Sequence, residues 1–269
     1  MRIGFIGSGS MVGAIARGAC AAGRNGADLV FTDAHGVHAP ALAAELGSRV
    51  APSNARLAEE VDLVVLGVKP HLQRGVIAEI RDTLAARDDV LVISIAAGRT
   101  LSAMEEDFHA PLPLVRAMPN VAAQIGESMT ALCPNALVTD AQLAQARDLF
   151  DAVGRTVTLG ESDFPVFSAL AGCSPAWVFE IIDALASAGV RHGLAKNRAV
   201  AIVAQALAGS ATLVLDAAEK DTTPAQLVDQ VTSPGGTTIA GLLAAREAGL
   251  STALVKAVDA AVARDRELG

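Results

Sequence analysis

The feature that most limits what this chain can fold into is a change of rhythm near residue 160. Before it, short apolar, β-branched runs alternate with Ala-rich stretches of helical period; after it only helical periods remain. The strand candidates are Arg2–Ile6, Asp28–Thr32, Asp62–Val68, Val90–Ile95, Leu114–Ala117, Met129–Cys133 and Thr156–Leu159. Helical segments such as Ser10–Ala22, Ala39–Leu46, His71–Ala86 and Asp140–Val153 lie between them. Buried runs separated by helices specify a parallel sheet covered on both faces, so residues 1–160 are expected to form a doubly wound α/β domain. Residues 161–269 read as helices over Asp163–Gly189, Lys196–Glu219, Pro224–Val231, Gly236–Ala248 and Ser251–Leu268.

Several of the later helices, Ala199–Val214 among them, are apolar around most of their circumference. Such helices must be covered, and so few neighbours cannot cover them all. The expectation is a homodimer formed through this helical domain, against the alternative of a bundle that seals itself. The apolar stretches read as broken by Gly, Pro or charge before ~18 residues, and the opening MRIGFIGSGSM lacks a signal-peptide apolar core. A cytoplasmic protein that meets no membrane is therefore expected.

Charge and side-chain chemistry narrow the function. The net charge is -8 and aromatics are 3% of residues, which excludes both a basic nucleic-acid footprint and a stacking platform. Tyrosine is absent, so the Tyr-x-x-x-Lys proton donor of short-chain dehydrogenases has no candidate. Cys20, Cys133 and Cys173 are scattered, and His35, His38, His71, His109 and His192 form no i,i+4 pair, so no metal is expected.

The first strand runs into Gly7-Ser8-Gly9-Ser10-Met11-Val12-Gly13, which opens the first helix. This is the Rossmann arrangement: one glycine for the bend, one for backbone approach to a pyrophosphate, and helix N–H groups behind it. Val12 stands where a third Gly or Ala is usual, a departure expected to loosen strand–helix packing slightly. Asp33, followed by Ala34, ends the second strand, where an acidic residue accepts from the ribose hydroxyls of NAD and repels a 2′-phosphate. NADH is thereby favoured weakly over NADPH, with Arg24, Arg49 or His35 as groups that could still reach a phosphate. Val68-Lys69-Pro70 and Ser94-Ile95-Ala96-Ala97-Gly98 follow two further strands, where ligands sit in such sheets. Lys69 could approach phosphate or ribose, and the small residues Ala96, Ala97 and Gly98 would let a nicotinamide ring lie near backbone.

In the helical half, Val231-Thr232-Ser233-Pro234-Gly235-Gly236-Thr237-Thr238 combines capping residues, a proline and two glycines. Ser233 or Thr232 can cap, and Pro234 suits a first helical turn. Glycines within a helix start cost about 1 kcal/mol each. Their presence points to backbone N–H groups that face an anion such as a carboxylate, with the Thr237 and Thr238 hydroxyls beside it.

Here the chain resembles a known family. PAQLVDQVTSPGGTTIAGLLAARE (residues 224–247) is similar to the signature of pyrroline-5-carboxylate reductases. Leu170-Ala171-Gly172-Cys173-Ser174-Pro175-Ala176-Trp177 resembles the segment that opens their helical domain. Arg116-Ala117-Met118-Pro119-Asn120 resembles the segment bordering their nicotinamide, and Val68–Pro70 and Gly7–Met11 also match. The resemblance implies reduction of L-1-pyrroline-5-carboxylate to L-proline by hydride transfer from NAD(P)H to the ring C=N bond, the last step of proline biosynthesis. It implies Thr238 beside the ring nitrogen and Val231, Ser233, Gly235, Gly236 and Thr237 around the substrate, with the carboxylate held by Ser233 and the amides of Gly235, Gly236 and Thr237. It also implies Asn54 at the cofactor ribose, Pro119 and Asn120 at the nicotinamide, and dimers that can associate into a ring. The alternatives are a reductase for a related cyclic imino acid, a β-hydroxyacid dehydrogenase-like enzyme, disfavoured because residues 163–189 contain no lysine, and an NAD(P)-sensing module without chemistry.

Overall fold

The structure, a computed structural model, describes every residue except His35 and Gly269. Among the described residues, eight strands form one sheet in the order β3-β2-β1-β4-β5-β6-β7-β8. They are β1 (Ile3–Ile6), β2 (Leu29–Thr32), β3 (Arg49–Val50), β4 (Leu63–Leu66), β5 (Leu91–Ser94), β6 (Leu114–Met118), β7 (Ser128–Pro134) and β8 (Gly154–Thr158). Every residue of β1, β2, β4 and β5 is buried. Their side chains alternate between two apolar cores, one on each face. Phe5, Val65 and Ile93 enter one core, and Ile6, Leu66 and Val92 the other. Phe5 stacks on Phe31 with ring centroids 5.3 Å apart.

Helices cover both faces. They are α1 (Ser10–Ala21), α2 (His38–Leu46), α3 (Asn54–Glu60), α4 (Pro70–Ala85), α5 (Leu101–Phe108) and α6 (Asp140–Asp151). In α4, Ile77, Ile80 and Leu84 are fully buried, each stabilising the core by roughly 1.5–3 kcal/mol. The order reverses at β1, with β2 and β4 on its two sides. The carboxyl ends of β1 and β4 therefore open the crevice where doubly wound sheets bind ligands.

The sheet departs from all-parallel in one pairing. β6 and β7 are antiparallel, because only the 3-10 turn Val121–Ile125 joins them, too short for a parallel crossover. β8 pairs parallel to β7 after the α6 crossover.

The helical region continues with α7 (Phe164–Phe167), a π-helical turn Ser168–Cys173, α8 (Ser174–Arg191), α9 (Lys196–Ala218), α10 (Pro224–Val231), α11 (Thr237–Glu247) and α12 (Leu250–Leu268). The chain divides into two compact units, Met1–Gly172 with Ala261–Gly269, and Cys173–Ala260. The first unit runs past residue 160 because Phe164, Phe167 and Ala171 are buried in one of the sheet's two cores.

Within the second unit α8 packs on α9. A Cβ on Gly189 would stand 3.1 Å from that of Ala199, and Lys196 Nζ bridges to Asp183 Oδ1 at 2.7 Å. The outer faces are apolar and open: Phe179, Leu185, Ile202 and Leu213 are exposed, and α9 buries only Ala199 and Ala217. Among the described residues, two helical stretches, Glu161–Arg191 and Lys196–Ala218, are by length and composition apolar enough to cross a membrane. The expected breaks before ~18 residues are thus not real breaks. Gly209 and Ser210 lower hydropathy little, and no charge stands between Arg198 and Asp216.

Candidate functional site

The glycine turn has the geometry its sequence demands. Gly7 sits at φ +95°, a conformation that side chains resist, and its N–H donates to Thr32 O at 3.0 Å. Ser8 Oγ donates to the same carbonyl at 3.2 Å, locking the turn against the end of β2. Gly9 is the N-cap of α1 and has no side-chain cap; a Cβ there would meet nothing within 4 Å. The first intrahelical bond runs from Gly13 N to Gly9 O at 2.9 Å. The N–H groups of Ser10, Met11 and Val12 therefore lie ahead of it, facing open space with the helix dipole behind them. That surface fits a pyrophosphate.

Val12 does not loosen the packing, contrary to expectation. It is buried, and the space is made on the other side: a Cβ on Gly67, just after β4, would overlap Val12 Cγ2. The small residue needed for close approach has moved from helix to strand end.

Asp33 is half-buried and carries a structural duty. Its Oδ2 accepts from the N–H groups of Val37 (3.2 Å), His38 (2.7 Å) and Ala39 (3.3 Å), closing the N-terminus of α2. Ala34 is exposed in the connecting turn, and His35 lies outside the described residues. Of the two arginines that could reach a phosphate, Arg49 is paired with Glu60 at 2.7 Å. Arg24 follows the far end of α1, roughly 18 Å from Gly9 by helix length. Asn54, at the start of α3, accepts from Thr32 Oγ1 at 2.6 Å and donates to Glu79 Oε2 at 2.8 Å, so its amide is fixed beside the β2 carboxyl end.

The remaining expected cofactor positions also follow strand ends. Val68 is half-buried and Lys69 exposed, the latter as the N-cap of α4 with Pro70 next. Ala96 is buried while Ala97 is exposed, and Gly98 turns the chain at φ +73°. Pro119 follows β6. Asn120 N donates to Ser128 Oγ at 3.1 Å, and its Nδ2 donates to Ala171 O at 3.0 Å. A cleft of about 830 Å³ includes Ser8, Gly9 and Ser10 in its lining, together with Arg17 and His38, but none of the other expected cofactor residues. It meets the expected dinucleotide path only at the pyrophosphate turn.

The Val231–Thr238 segment is built differently from its sequence reading. α10 ends at Val231, which is exposed, and Thr232 Oγ1 returns to Val228 O at 3.0 Å. Ser233 through Gly236 form a turn closed by Gly236 N to Ser233 O at 3.0 Å, with Gly235 at φ +67° in its third position. Pro second and glycine third is the chemistry of a type II turn. Pro234 therefore lies before the helix, and neither Ser233 nor Thr232 caps it; Gly236 is the N-cap, without a side-chain bond. The Gly236 N–H is taken up by the turn and does not face an anion. The first-turn donors of α11 are those of Thr237, Thr238 and Ile239, and both threonine side chains are exposed beside them.

Two buried polar groups have roles that the sequence reading does not give: Gln73 is not singled out there, and Arg116 is named only within its motif. Gln73 is completely buried, in register with the core residues Ile77, Ile80 and Leu84; a polar residue at the head of that i, i+4, i+7 row was its signal. Arg116 is buried over the Phe164 ring at 4.2 Å and paired with Glu161 Oε1 at 2.9 Å. That oxygen also accepts from Leu101 N at 2.8 Å. Burial, and then the Glu161 charge, push the Cys133 thiol up, and burial does the same for Cys20, so neither is a ready thiolate. Among the described residues no group of His, Cys, Asp and Glu is placed to hold a metal.

Comparison with known proteins accounts for both halves. Residues 161–268 match the family described as pyrroline-5-carboxylate reductase dimerisation, and residues 2–98 match NADP oxidoreductase, coenzyme F420-dependent. The pyrroline-5-carboxylate reductase of Methanosarcina acetivorans is 36% identical, the match covering 100% of this chain and 98% of that protein. That of Escherichia coli K12 is 36% identical over 99% and 98%. The solved pyrroline-5-carboxylate reductase of Coxiella burnetii superposes with a TM-score of 0.93 at 33% identity, covering 100% of this chain and 98% of that one. The Plasmodium falciparum enzyme with NADP bound gives 0.87 at 28%, over 100% and 98%. At this identity, over the whole length, the chain belongs to the pyrroline-5-carboxylate reductase family.

Proposed function

We infer that this protein reduces L-1-pyrroline-5-carboxylate to L-proline with NAD(P)H, closing proline biosynthesis. Among features of the chain itself, the observation that carries the reading is the turn from Ser233 to Gly236, which delivers an uncapped helix start flanked by two threonine hydroxyls. That pairing of donors suits a small ring with a carboxylate at one position and a nitrogen near it. The Gly7–Met11 turn, with open space at Gly9, supports the dinucleotide.

Bound NAD(P)H supplies the hydride that adds to the C5 carbon of the ring C=N bond. The residues do the rest. The N–H groups of Thr237, Thr238 and Ile239 hold the substrate carboxylate, with Ser233 Oγ beside them and Val231 bordering the ring. The Thr238 hydroxyl hydrogen-bonds the ring nitrogen, which arrives already protonated and becomes the neutral amine nitrogen as the carbon gains hydride. A threonine hydroxyl is too weak an acid to drive this step, so the imine reacts as its iminium and orientation carries the rate. Asn54 and Lys69 face the cofactor ribose and phosphate. Ala96–Gly98 and Pro119–Asn120 border the nicotinamide. Asp33, by its charge at the end of β2, favours NADH over NADPH.

The exposed apolar faces of α8 and α9 are covered by a second copy of the chain and not by lipid, and such dimers associate further into a ring. Two experiments test these readings. Purified protein mixed with NAD(P)H and L-1-pyrroline-5-carboxylate should lose absorbance at the nicotinamide band, and with NAD(P)⁺ and 3-hydroxy acids it should produce no gain there. Absence of imine-dependent oxidation would overturn the assignment. Light scattering without detergent should give a dimer mass or a multiple of it; a detergent-dependent monomer in the membrane fraction would overturn the assembly.

A further inference from the structure

α4 presents an inner row of Gln73, Ile77, Ile80 and Leu84, all fully buried. Packing alone would be served by a fourth aliphatic side chain, and a buried amide is costly unless hydrogen-bonded. Gln73 is bonded at both ends. Its Nε2 donates to Ser94 Oγ at 2.5 Å, and its Oε1 accepts from Arg99 Nε at 3.4 Å. Ser94 ends β5 and Arg99 stands just beyond Gly98. One side chain therefore grips both feet of the loop Ile95–Gly98.

The grip is braced from each side. Ser94 Oγ also accepts from Ala96 N at 3.3 Å, inside the loop. Arg99 is held from behind by a close ion pair with Asp107 and by Ala103 O at 3.4 Å. Within the loop, Ile95 packs on the core and donates its N–H to Leu66 O at 3.3 Å, while Ala97 and Gly98, the latter at φ +73°, have little side chain to hold them.

We propose that Gln73 is a positioning residue for the reaction: through Ser94 and Arg99 it sets the height of the Ile95–Gly98 backbone and so where the nicotinamide ring lies. The proposal rests on the reading of that loop as the nicotinamide border. It assigns Gln73 no contact with substrate or cofactor. A loop freed at its feet would let the ring drift, and small displacements of a reacting carbon cost large factors in rate.

The test compares Gln73→Met, which keeps length and apolar volume, with Gln73→Glu, which keeps an oxygen for Arg99 and an acceptor toward which the Ser94 hydroxyl can turn. Dissociation constants are measured for NADH and NADPH, and for ADP-ribose and its 2′-phosphate, which lack the nicotinamide. The Met variant should bind NAD(P)H several-fold more weakly and lose about tenfold in kcat, with the ADP-ribose constants unchanged within about twofold. The Glu variant should recover most of the loss. Equal weakening of both ligand types, or unchanged NAD(P)H affinity and kcat, would overturn the proposal. If Gln73→Met does not fold, Ser94→Ala removes a single hydroxyl from the clamp and should shift the same quantities by about threefold; no shift there overturns it as well. Because the binding arm needs no imine, a wild-type protein inactive on L-1-pyrroline-5-carboxylate would refute the proposed reaction and leave this inference still decidable.

Discussion

The displaced glycine of the nucleotide turn makes a quantitative prediction. Val12 on α1 is buried, and a Cβ on Gly67 would overlap its Cγ2. A valine in a helix has one strongly preferred rotamer, so the methyl cannot swing aside. Gly67→Ala should therefore cost about 1–3 kcal/mol by overpacking. Val12→Ala removes two methyl groups from a closed site, about 1.6 kcal/mol at ~0.8 kcal/mol per methylene. The double variant is different, because the methyl added at residue 67 occupies space vacated at residue 12; its total cost should be about 1 kcal/mol. The coupling between the sites is then roughly 1.6–3.6 kcal/mol in the direction of mutual rescue, well outside the ~0.5 kcal/mol scatter of independent positions. Gly7 lies against the same backbone, its ideal Cβ 3.0 Å from the carbonyl carbon of Gly67, so the single Gly67→Ala variant should also displace the pyrophosphate turn. Urea unfolding at one fixed protein concentration measures the cycle, since an oligomer's stability depends on concentration. ADP-ribose affinity should fall about tenfold in Gly67→Ala and recover in the double variant. Additive stabilities, or an affinity that does not recover, would refute the account.

Three further outcomes follow from the same geometry. Glu161→Ala strands the buried Arg116 guanidinium and the Leu101 N–H together. With Glu161 about one-third exposed, the cost should be on the order of 2–3 kcal/mol, or roughly 5–10 °C in Tm, while Glu161→Gln keeps an acceptor and loses less; equal melting of both variants would contradict the pairing. Thr238→Ala should lower kcat on the imine substantially while NAD(P)H binding, followed by fluorescence, stays near wild type; unchanged turnover removes Thr238 from the mechanism. Asp33→Asn keeps an oxygen for the α2 amides but removes the charge, so the ratio of kcat/KM for NADPH to that for NADH should rise about tenfold; a fixed ratio would refute a role for that charge in cofactor choice.

The centre of the sheet was legible because β1, β2, β4 and β5 are buried throughout, and such runs stand out when helices separate them. The short pieces were not. β3 has two residues, both exposed, and α3 and α5 are short helices signalled by their caps, Ser53 and Thr100, and by few buried positions, Leu57 and Ala58 in α3 and Leu101, Met104 and Phe108 in α5. The direction of β7 depended on the length of one connection, not on any strand residue. In the Ser233–Thr238 block the residue types pointed to the right kind of structure with the wrong boundaries. Proline and glycine serve a turn as well as a helix start, and only the Gly236 to Ser233 hydrogen bond decides between them. The apolar helices were read correctly as needing cover, yet their hydropathy was underestimated because small interrupting residues leave it almost unchanged.

Asn120 and Pro175 illustrate a dependency that no single segment contains. Proline has no N–H, so within a helix it leaves the carbonyl four residues earlier without its partner and crowds it as well. For Pro175 that carbonyl belongs to Ala171, inside the π-helical turn Ser168–Cys173, where the backbone widens. The missing donor is replaced by Asn120 Nδ2 at 3.0 Å, while Asn120 Oδ1 accepts from Ala122 N at 3.1 Å. Two motifs that read as separate in the sequence, one after β6 and one opening the helical region, thus form one hydrogen-bonded unit. An asparagine proposed to border the nicotinamide is already oriented by a duty elsewhere. Its amide would therefore reach a ligand as part of a fixed wall, not as a mobile hand. The same logic holds for Asp33 and Asn54: Asp33 accepts from the backbone N–H groups at the start of α2, and Asn54 is held between the Thr32 hydroxyl and the Glu79 carboxylate, so each is already bonded within the protein.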